Sequence, residues 1–237
     1  MSTNRSRSIR TKLLRAVGLP SIWEVRSRLE EIRYSQLWSS LQRQIGEPAI
    51  HPSTLGAANA SLLFVLGRIL TELPVSRVIE FGAGSTSKLI GHCASRSSIT
   101  AATIEHDPFW ADHIAAQVSH PVFTCPLTDE TRWGITTQTY QLPDLVREQK
   151  FDLLVIDGPP GKPAHSRLGA VAQAVELADT EFILVLDDVD RDGEKQTVKA
   201  LQQQMREQGR RVDVRWVHAA KDQLIMCTPR FEAALYL

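Results

Sequence analysis

Five acidic residues stand where apolar runs of the chain end, and they carry the first chemical argument. Glu80 lies in the run 77–81 (RVIEF), Glu105 ends 99–105 (ITAATIE), Asp157 ends 151–157 (FDLLVID), and Asp187 and Asp188 end 182–188 (FILVLDD). Directly after Glu80 comes the turn Phe81-Gly82-Ala83-Gly84-Ser85-Thr86. Glycines there let the backbone approach a ligand with no Cβ in the way, and the start of the following helix offers free N–H groups to an anionic group. The dinucleotide fingerprint wants a third glycine at position 87, where this chain has Ser87. A carboxylate at Glu80 would repel a pyrophosphate but suits a ligand with an ammonium group. Glu105, followed by His106 and Asp107, is placed to accept hydrogen bonds from the vicinal hydroxyls of a ribose. The ligand read from these residues has a ribose, an ammonium and a small carboxylate, and no diphosphate.

Asp157, Asp187 and Asp188 form a second group. Ligands of an open α/β sheet sit beyond the carboxyl ends of its strands, and neighbouring strands would bring these three acids to one rim. Carboxylates so close repel unless a cation or a positive substrate sits among them. Three roles stay open for them: metal ligands, metal-free substrate binding or base catalysis, and capping of the next helix. Gly158-Pro159-Pro160-Gly161 follows Asp157 and should be rigid, either as a wall of an acceptor pocket or as a stiff connection. Arg167 and Arg191 are read as surface arginines, with binding of an anionic acceptor as the functional alternative. Trp110, Trp133 and Tyr140 are read as packing residues, with stacking on a ligand as the alternative. His92, His113 and His120 have no ligand-like spacing and are read as surface or capping residues.

The elements that must position these residues follow from periodicity. From Arg77 onward short apolar runs alternate with helical stretches at 86–95, 107–118 and 164–179, which predicts a mainly parallel sheet covered on both faces. Strands are expected at 77–81, 99–105, 122–125, 151–157 and 182–188, then a helix near 192–208. Two last strands, 211–218 and 222–228, are joined by only a few residues and should be antiparallel. Before Arg77 the chain reads as helical. Ser21 and Glu24 make a capping box, with Ile22, Val25, Leu29, Ile32 and Leu37 as the apolar face. A second helix is expected from Ser53 to Leu73-Pro74. The first 20 residues are basic and end at Gly18-Leu19-Pro20. They are read as a solvated tail, with a short amphipathic helix through Ile9, Leu13, Leu14 and Val17 as the alternative. The expected division is 1–52, a basic tail and helical extension, and 53–237, a ligand-binding domain.

The ordered set Glu80-Phe-Gly-Ala-Gly-Ser-Thr86, Ile104-Glu105-His106-Asp107-Pro108 and Val155-Ile156-Asp157-Gly-Pro-Pro-Gly161 resembles class I S-adenosylmethionine-dependent methyltransferases. It is most similar to a bacterial group with an EFGxGxST, EHDPxW and DGPPG pattern. The resemblance spans about residues 53–228 and implies a Rossmann-like α/β fold with a seven-stranded sheet and an antiparallel C-terminal hairpin. It implies that Glu80 and Gly82, with Ala83, Gly84, Ser85 and Thr86 of the turn, hold the methionine end of the cofactor. Glu105 would hold the ribose, His106 would lie near the adenosine, and Asp157 beside the sulfonium. The acidic rim is similar to that of cation-dependent O-methyltransferases of the catechol type, which makes Asp157, Asp187 and Asp188 candidate Mg²⁺ ligands. Oxygen-only ligands suit a hard cation. Such a metal would orient an acceptor hydroxyl and lower its pKa. The catechol-type enzymes carry a catalytic lysine soon after the first acid. Here the proline turn intervenes, so Lys162 and His165 both stand as candidate bases beside Asp157.

Composition sets outer bounds. The 237 residues are 43% apolar and 23% charged, with formal net charge +0, which gives no electrostatic case for nucleic acid. The three cysteines are far apart, with no CxxC pair, so neither a zinc site nor a disulfide framework is suggested. No apolar run approaches the roughly 20 residues of a membrane span, and a cytoplasmic protein is expected. The expected acceptor is a small-molecule or glycan hydroxyl, a preference that rests on the resemblance. Nitrogen acceptors commonly meet an Asn/Asp-Pro-Pro-aromatic turn, which this chain lacks. Two other classes compete: an NAD-binding oxidoreductase, opposed by Ser87 and Glu80, and a non-enzymatic binding module acting through the N-terminal helices. Those helices are available to lid the site, to mediate homodimerisation, or to do both.

Overall fold

The computed structural model describes residues 20–46, 50–53, 57–161 and 165–237. The basic tail, with the alternative helix through Ile9–Val17, lies outside them. Helix α1 (Ile22–Ile45) begins with the anticipated capping box. The Glu24 amide donates to Ser21 Oγ at 3.2 Å, and the Ser21 amide to Glu24 Oε2 at 2.7 Å. It ends at Gly46 in the left-handed region. Its apolar face differs from the expected one. Ile22, Val25, Leu29 and Ile32 are exposed, and the helix is anchored by Tyr34, Trp38 and Leu41. The anchoring stripe packs on α2 (Ala60–Glu72), where Gly67 allows close approach: a Cβ there would lie 2.9 Å from Leu41 Cδ2. Helix α2 starts at Ala60 rather than near Ser53. Its N-cap, Asn59, directs its side chain to Glu31 and to the Ser61 hydroxyl instead of to a backbone amide of the helix.

The sheet runs through β1 (Arg77–Phe81), β2 (Thr100–Glu105), β3 (Val122–Thr124), β6 (Phe151–Ile156), β7 (Ala178–Leu186), β8 (Asp213–Val217) and β9 (Gln223–Cys227) in the order β3-β2-β1-β6-β7-β9-β8. The first five of that row are parallel, and β9 pairs antiparallel with both β7 and β8. Alternate residues of the central strands feed two cores, as sheet pleating requires. Val78 and Val155 join the core that holds α1 and α2. Ile79 and Leu154 join the core on the other face. That second face is covered by α6 (Leu168–Leu177) and α7 (Asp192–Glu207), while α3 (Ser85–Ala94) packs under α2 and α4 (Pro108–Ala115) lies beside β2 and β3.

This is the Rossmann-like, mainly parallel sheet with a closing antiparallel hairpin that the motif order implied. One element was not foreseen. A separate hairpin, β4 (Leu127–Arg132) and β5 (Ile135–Tyr140), turns at Trp133 and Gly134, both with positive φ, and is followed by the short helix α5 (Asp144–Arg147). Among the described residues no helix is long and apolar enough to cross a membrane.

Candidate active site

The carboxyl ends of β1, β2, β6 and β7 open onto a cleft of about 420 Å³. Its floor is made where two backbones touch. Gly82 has φ +96°, and a Cβ on it would fall 2.6 Å from the Gly158 amide nitrogen; one on Gly158 would fall 2.7 Å from Gly82 Cα. Both glycines are therefore required by packing. Gly84 is different, because among the described residues a Cβ there would meet no atom within 4 Å beyond its chain neighbours.

Glu105 is the best-braced acid of the cleft. Its Oε2 accepts from the Ala83 amide at 2.8 Å, and its Oε1 from the amides of His106 at 2.7 Å and Asp107 at 2.9 Å. His106 Nδ1 sits 2.6 Å from that same Oε1. Asp107 caps α4 by accepting from the Phe109 and Trp110 amides, and Trp110 Nε1 donates back to the Ala83 carbonyl at 2.6 Å. The turn after β1 and the turn after β2 are thus tied together across the cleft mouth.

Glu80 sits beneath the glycine turn and does not line the cleft. It is fully buried, and its Oε2 accepts from Ser87 Oγ and Thr103 Oγ1. Burial pushes its carboxyl up to about 7. Hydrogen bonds from Ser87 and Thr103 pull the other way, and nearby Asp157 adds to the rise. Ser87 Oγ in turn accepts from the Gly84 amide, so Glu80 props the turn through Ser87. His120, read as a surface or capping residue, is buried behind this group. Its Nε2 lies 2.9 Å from Thr103 Oγ1, and burial lowers its pKa to about 4.

The aspartates do meet: one carboxylate oxygen each from Asp157, Asp187 and Asp188 lie within 4.8 Å of one another. The arginine that follows is not on the surface. Arg167 is 2% exposed and lies among the acids. Its Nη2 donates to Asp188 Oδ2 at 2.8 Å and to Asp157 Oδ1 at 3.2 Å, and its Nη1 to the Asp187 carbonyl at 2.8 Å. Its Nε reaches the Pro159 carbonyl at 3.3 Å, which pins the proline turn to the end of β7. Burial works against its charge, but Asp157, Asp188, Asp187 and Glu194 outweigh that and raise its pKa. Arg191 Nη2 lies 2.9 Å from Asp188 Oδ2. Lys221 Nζ lies 3.6 Å from Asp188 Oδ1 and 3.8 Å from Asp187 Oδ2. Asp187 accepts from Gln223 Nε2 at 2.8 Å, yet burial, then Asp157 and Asp188, push its carboxyl up to about 8.

Of the candidate bases, Asp157 lines the cleft with its side chain 22% exposed. Lys162 lies outside the described residues. His165 does not line the cleft, and its backbone carbonyl accepts from Thr137 Oγ1. Tyr140, read as a packing residue with stacking on a ligand as the alternative, lines the cleft, as does Trp110. Tyr140 lies on the unforeseen hairpin, and its buried hydroxyl beside Gly158 has no hydrogen-bond partner among the described residues. Burial, then the charge of Glu105, raises its pKa, so it stays a donor.

No family model and no curated protein matches the sequence. Solved structures do resemble the fold. An O-methyltransferase from Bacillus cereus in complex with SAH is 14% identical, with 81% of this chain and 90% of that chain covered, at a TM-score of 0.51. Cofactor-bound Rv0187 from MTB is 18% identical, with 84% and 90% covered, at a TM-score of 0.48. A precorrin-6y C5,15-methyltransferase from Geobacter metallireducens is 14% identical, with 76% and 94% covered, at a TM-score of 0.48. The fold is thus shared with the Bacillus cereus O-methyltransferase.

Within that fold, Glu105 stands at the end of the strand next to β1, and the acidic rim at the ends of the two strands on β1's other side. The cleft accordingly has two ends. One is formed by Glu105, His106 and Trp110, and the other by Asp157, Asp188, Arg191 and Lys221.

Proposed function

We propose that the chain is an S-adenosylmethionine-dependent methyltransferase that acts on a hydroxyl of a small molecule or glycan. The observation that carries the reading is Glu105. Three backbone N–H groups hold its two oxygens at the cleft wall, opposite the Gly82–Gly158 floor. A carboxylate so braced has its orientation fixed and keeps lone pairs for a ribose diol. The room at Gly84, which the protein's own packing does not use, suits the close passage of the cofactor's methionine end. Glu80 acts there indirectly, by holding Ser87 and the Gly84 amide in place.

The cofactor would supply a methyl group on a sulfonium. In transfer the acceptor O–CH₃ bond forms as the S–CH₃ bond breaks, S-adenosylhomocysteine leaves, and the hydroxyl proton passes to a base. Most of the barrier in such an in-line displacement can be met by positioning. Asp157 faces the cleft and is the proposed base. Arg191 and Lys221 border the acceptor end and are available to a polar or anionic acceptor. The hydroxyl assignment rests on the motif resemblance, with the similar-fold O-methyltransferase in agreement.

A calorimetric titration with S-adenosylhomocysteine, with NAD as the control, tests the reading. Micromolar binding of the first and none of the second is expected. Binding of NAD alone would overturn it in favour of a dinucleotide enzyme.

A further inference from the structure

The acidic rim has the donor chemistry of a divalent-cation site, three carboxylate oxygens within 4.8 Å of one another. The space they share is already supplied with positive charge by the chain itself. Arg167 Nη2 bridges Asp157 and Asp188, Lys221 Nζ lies between Asp187 and Asp188, and Arg191 contacts Asp188 from the solvent side. Three cationic side chains thus stand within 4 Å of three carboxylates. Mg²⁺ demands six oxygens at about 2.0–2.1 Å in near-octahedral geometry. Asp157 and Asp188 each place one oxygen on the guanidinium, so an ion seated among the three carboxylates would be a doubly charged neighbour of Arg167, which is 2% exposed, and would compete with it for their charge. An unpaired buried charge is among the costliest groups a protein can hold. The residues present do not fit a resident metal.

We propose that Arg167 is the built-in cation of this rim: it holds Asp157 and Asp188 together as a metal would, and the site works without a divalent ion. Arg167 is a positioning residue. It fixes Asp157 at the cleft and, through the Pro159 carbonyl, fixes the proline turn that walls it. The proposal rests on the reading of the cleft as a methyltransferase site, but its test does not depend on turnover. A guanidinium also differs from a metal in kind. It presents directed N–H donors and cannot bind an acceptor oxygen as a Lewis acid, so proton removal falls to Asp157 itself.

The experiment is titration of the full chain with Mn²⁺ alone, followed by electron paramagnetic resonance and calorimetry, for wild type, Arg167→Met and Arg167→Gln. Wild type is expected to bind no Mn²⁺ up to about 1 mM, the weak end of oxygen-ligand sites. A folded Arg167 variant is expected to gain a site at least about tenfold tighter than that limit, lost again when Asp188→Asn is added. Mn²⁺ bound by wild type below that limit and displaced by Asp188→Asn would overturn the proposal. So would a folded Arg167 variant with no gain. Should neither variant fold, the wild-type titration decides alone. S-adenosylhomocysteine binding by wild type, measured in EDTA, reports separately on the cofactor reading.

Discussion

Glu80 offers a test that joins fold to function. Its carboxyl is fully buried and pushed up to about 7 from an ordinary 4.5, first by burial and then by Asp157. Between those two values the folded chain holds a proton that the unfolded chain has released. Stability contributed by this group is therefore complete below about pH 4.5 and falls as pH rises through about 7, then levels off. A difference of about 2.5 units at about 1.4 kcal/mol each gives roughly 3.5 kcal/mol lost across that window, as an order of magnitude. Glu80→Gln removes the titration and keeps an oxygen to accept from Ser87 and Thr103. Urea unfolding of both proteins from pH 4 to pH 8.5 is the assay. Asp187, pushed up to about 8, gives the same sign in both proteins, so the difference between the two curves isolates Glu80. The variant should gain on wild type steadily between about pH 5 and 7. Parallel curves would show that Glu80 does not titrate there and that the account of its environment is wrong.

Three further changes probe other parts. Glu105→Ala should weaken S-adenosylhomocysteine binding by roughly 1.5–3 kcal/mol in calorimetry, the range for hydrogen bonds to a charged group. An unchanged affinity would move the ribose elsewhere. Gly158→Ala would put a Cβ 2.7 Å from both Gly82 Cα and Tyr140 Oη, so a lower melting temperature and at least about tenfold weaker cofactor binding are expected. Trp38→Ala empties the contact between α1 and α2 and removes one of two donors to the Ile50 carbonyl, leaving Gln42 Nε2 at 3.1 Å. About 3–5 kcal/mol of stability should be lost in denaturant unfolding.

The strand positions were legible because both faces of the sheet are covered. Runs such as 182–188 are apolar until they stop at acids, and the acids mark the strand's carboxyl end. The motif acids therefore told where the cleft would be. Helix faces were harder to read. Ile22, Val25, Leu29 and Ile32 repeat at helical spacing, yet the side that packs is set by Gly67 on another helix, which no local pattern of α1 discloses. The β4–β5 hairpin escaped because its residues are mostly polar and half exposed, so no apolar alternation marks it. Arg167 was misread for a related reason. A lone arginine after a proline turn has a surface prior, and only the meeting of three strand ends creates the negative potential that draws it inward.

That negative potential also explains what the N-terminal helix does for the site. Asp187 is held by Gln223 Nε2, Gln223 Oε1 accepts from Ser61, and Gln223 Nε2 also reaches Asn59 Oδ1. Asn59 Nδ2 then donates to Glu31 on α1, whose other oxygen accepts from the first amide of α2. Lys221, which faces Asp187 and Asp188, is itself anchored on the Ala57 carbonyl. A buried side chain next to two like charges keeps one orientation only if its remaining neighbours are fixed, and here those neighbours are fixed from α1 and the start of α2. The helices before the sheet are thus part of the active site's frame: the Trp38 stripe binds α1 to α2, and Glu31 carries that attachment through to the acidic rim.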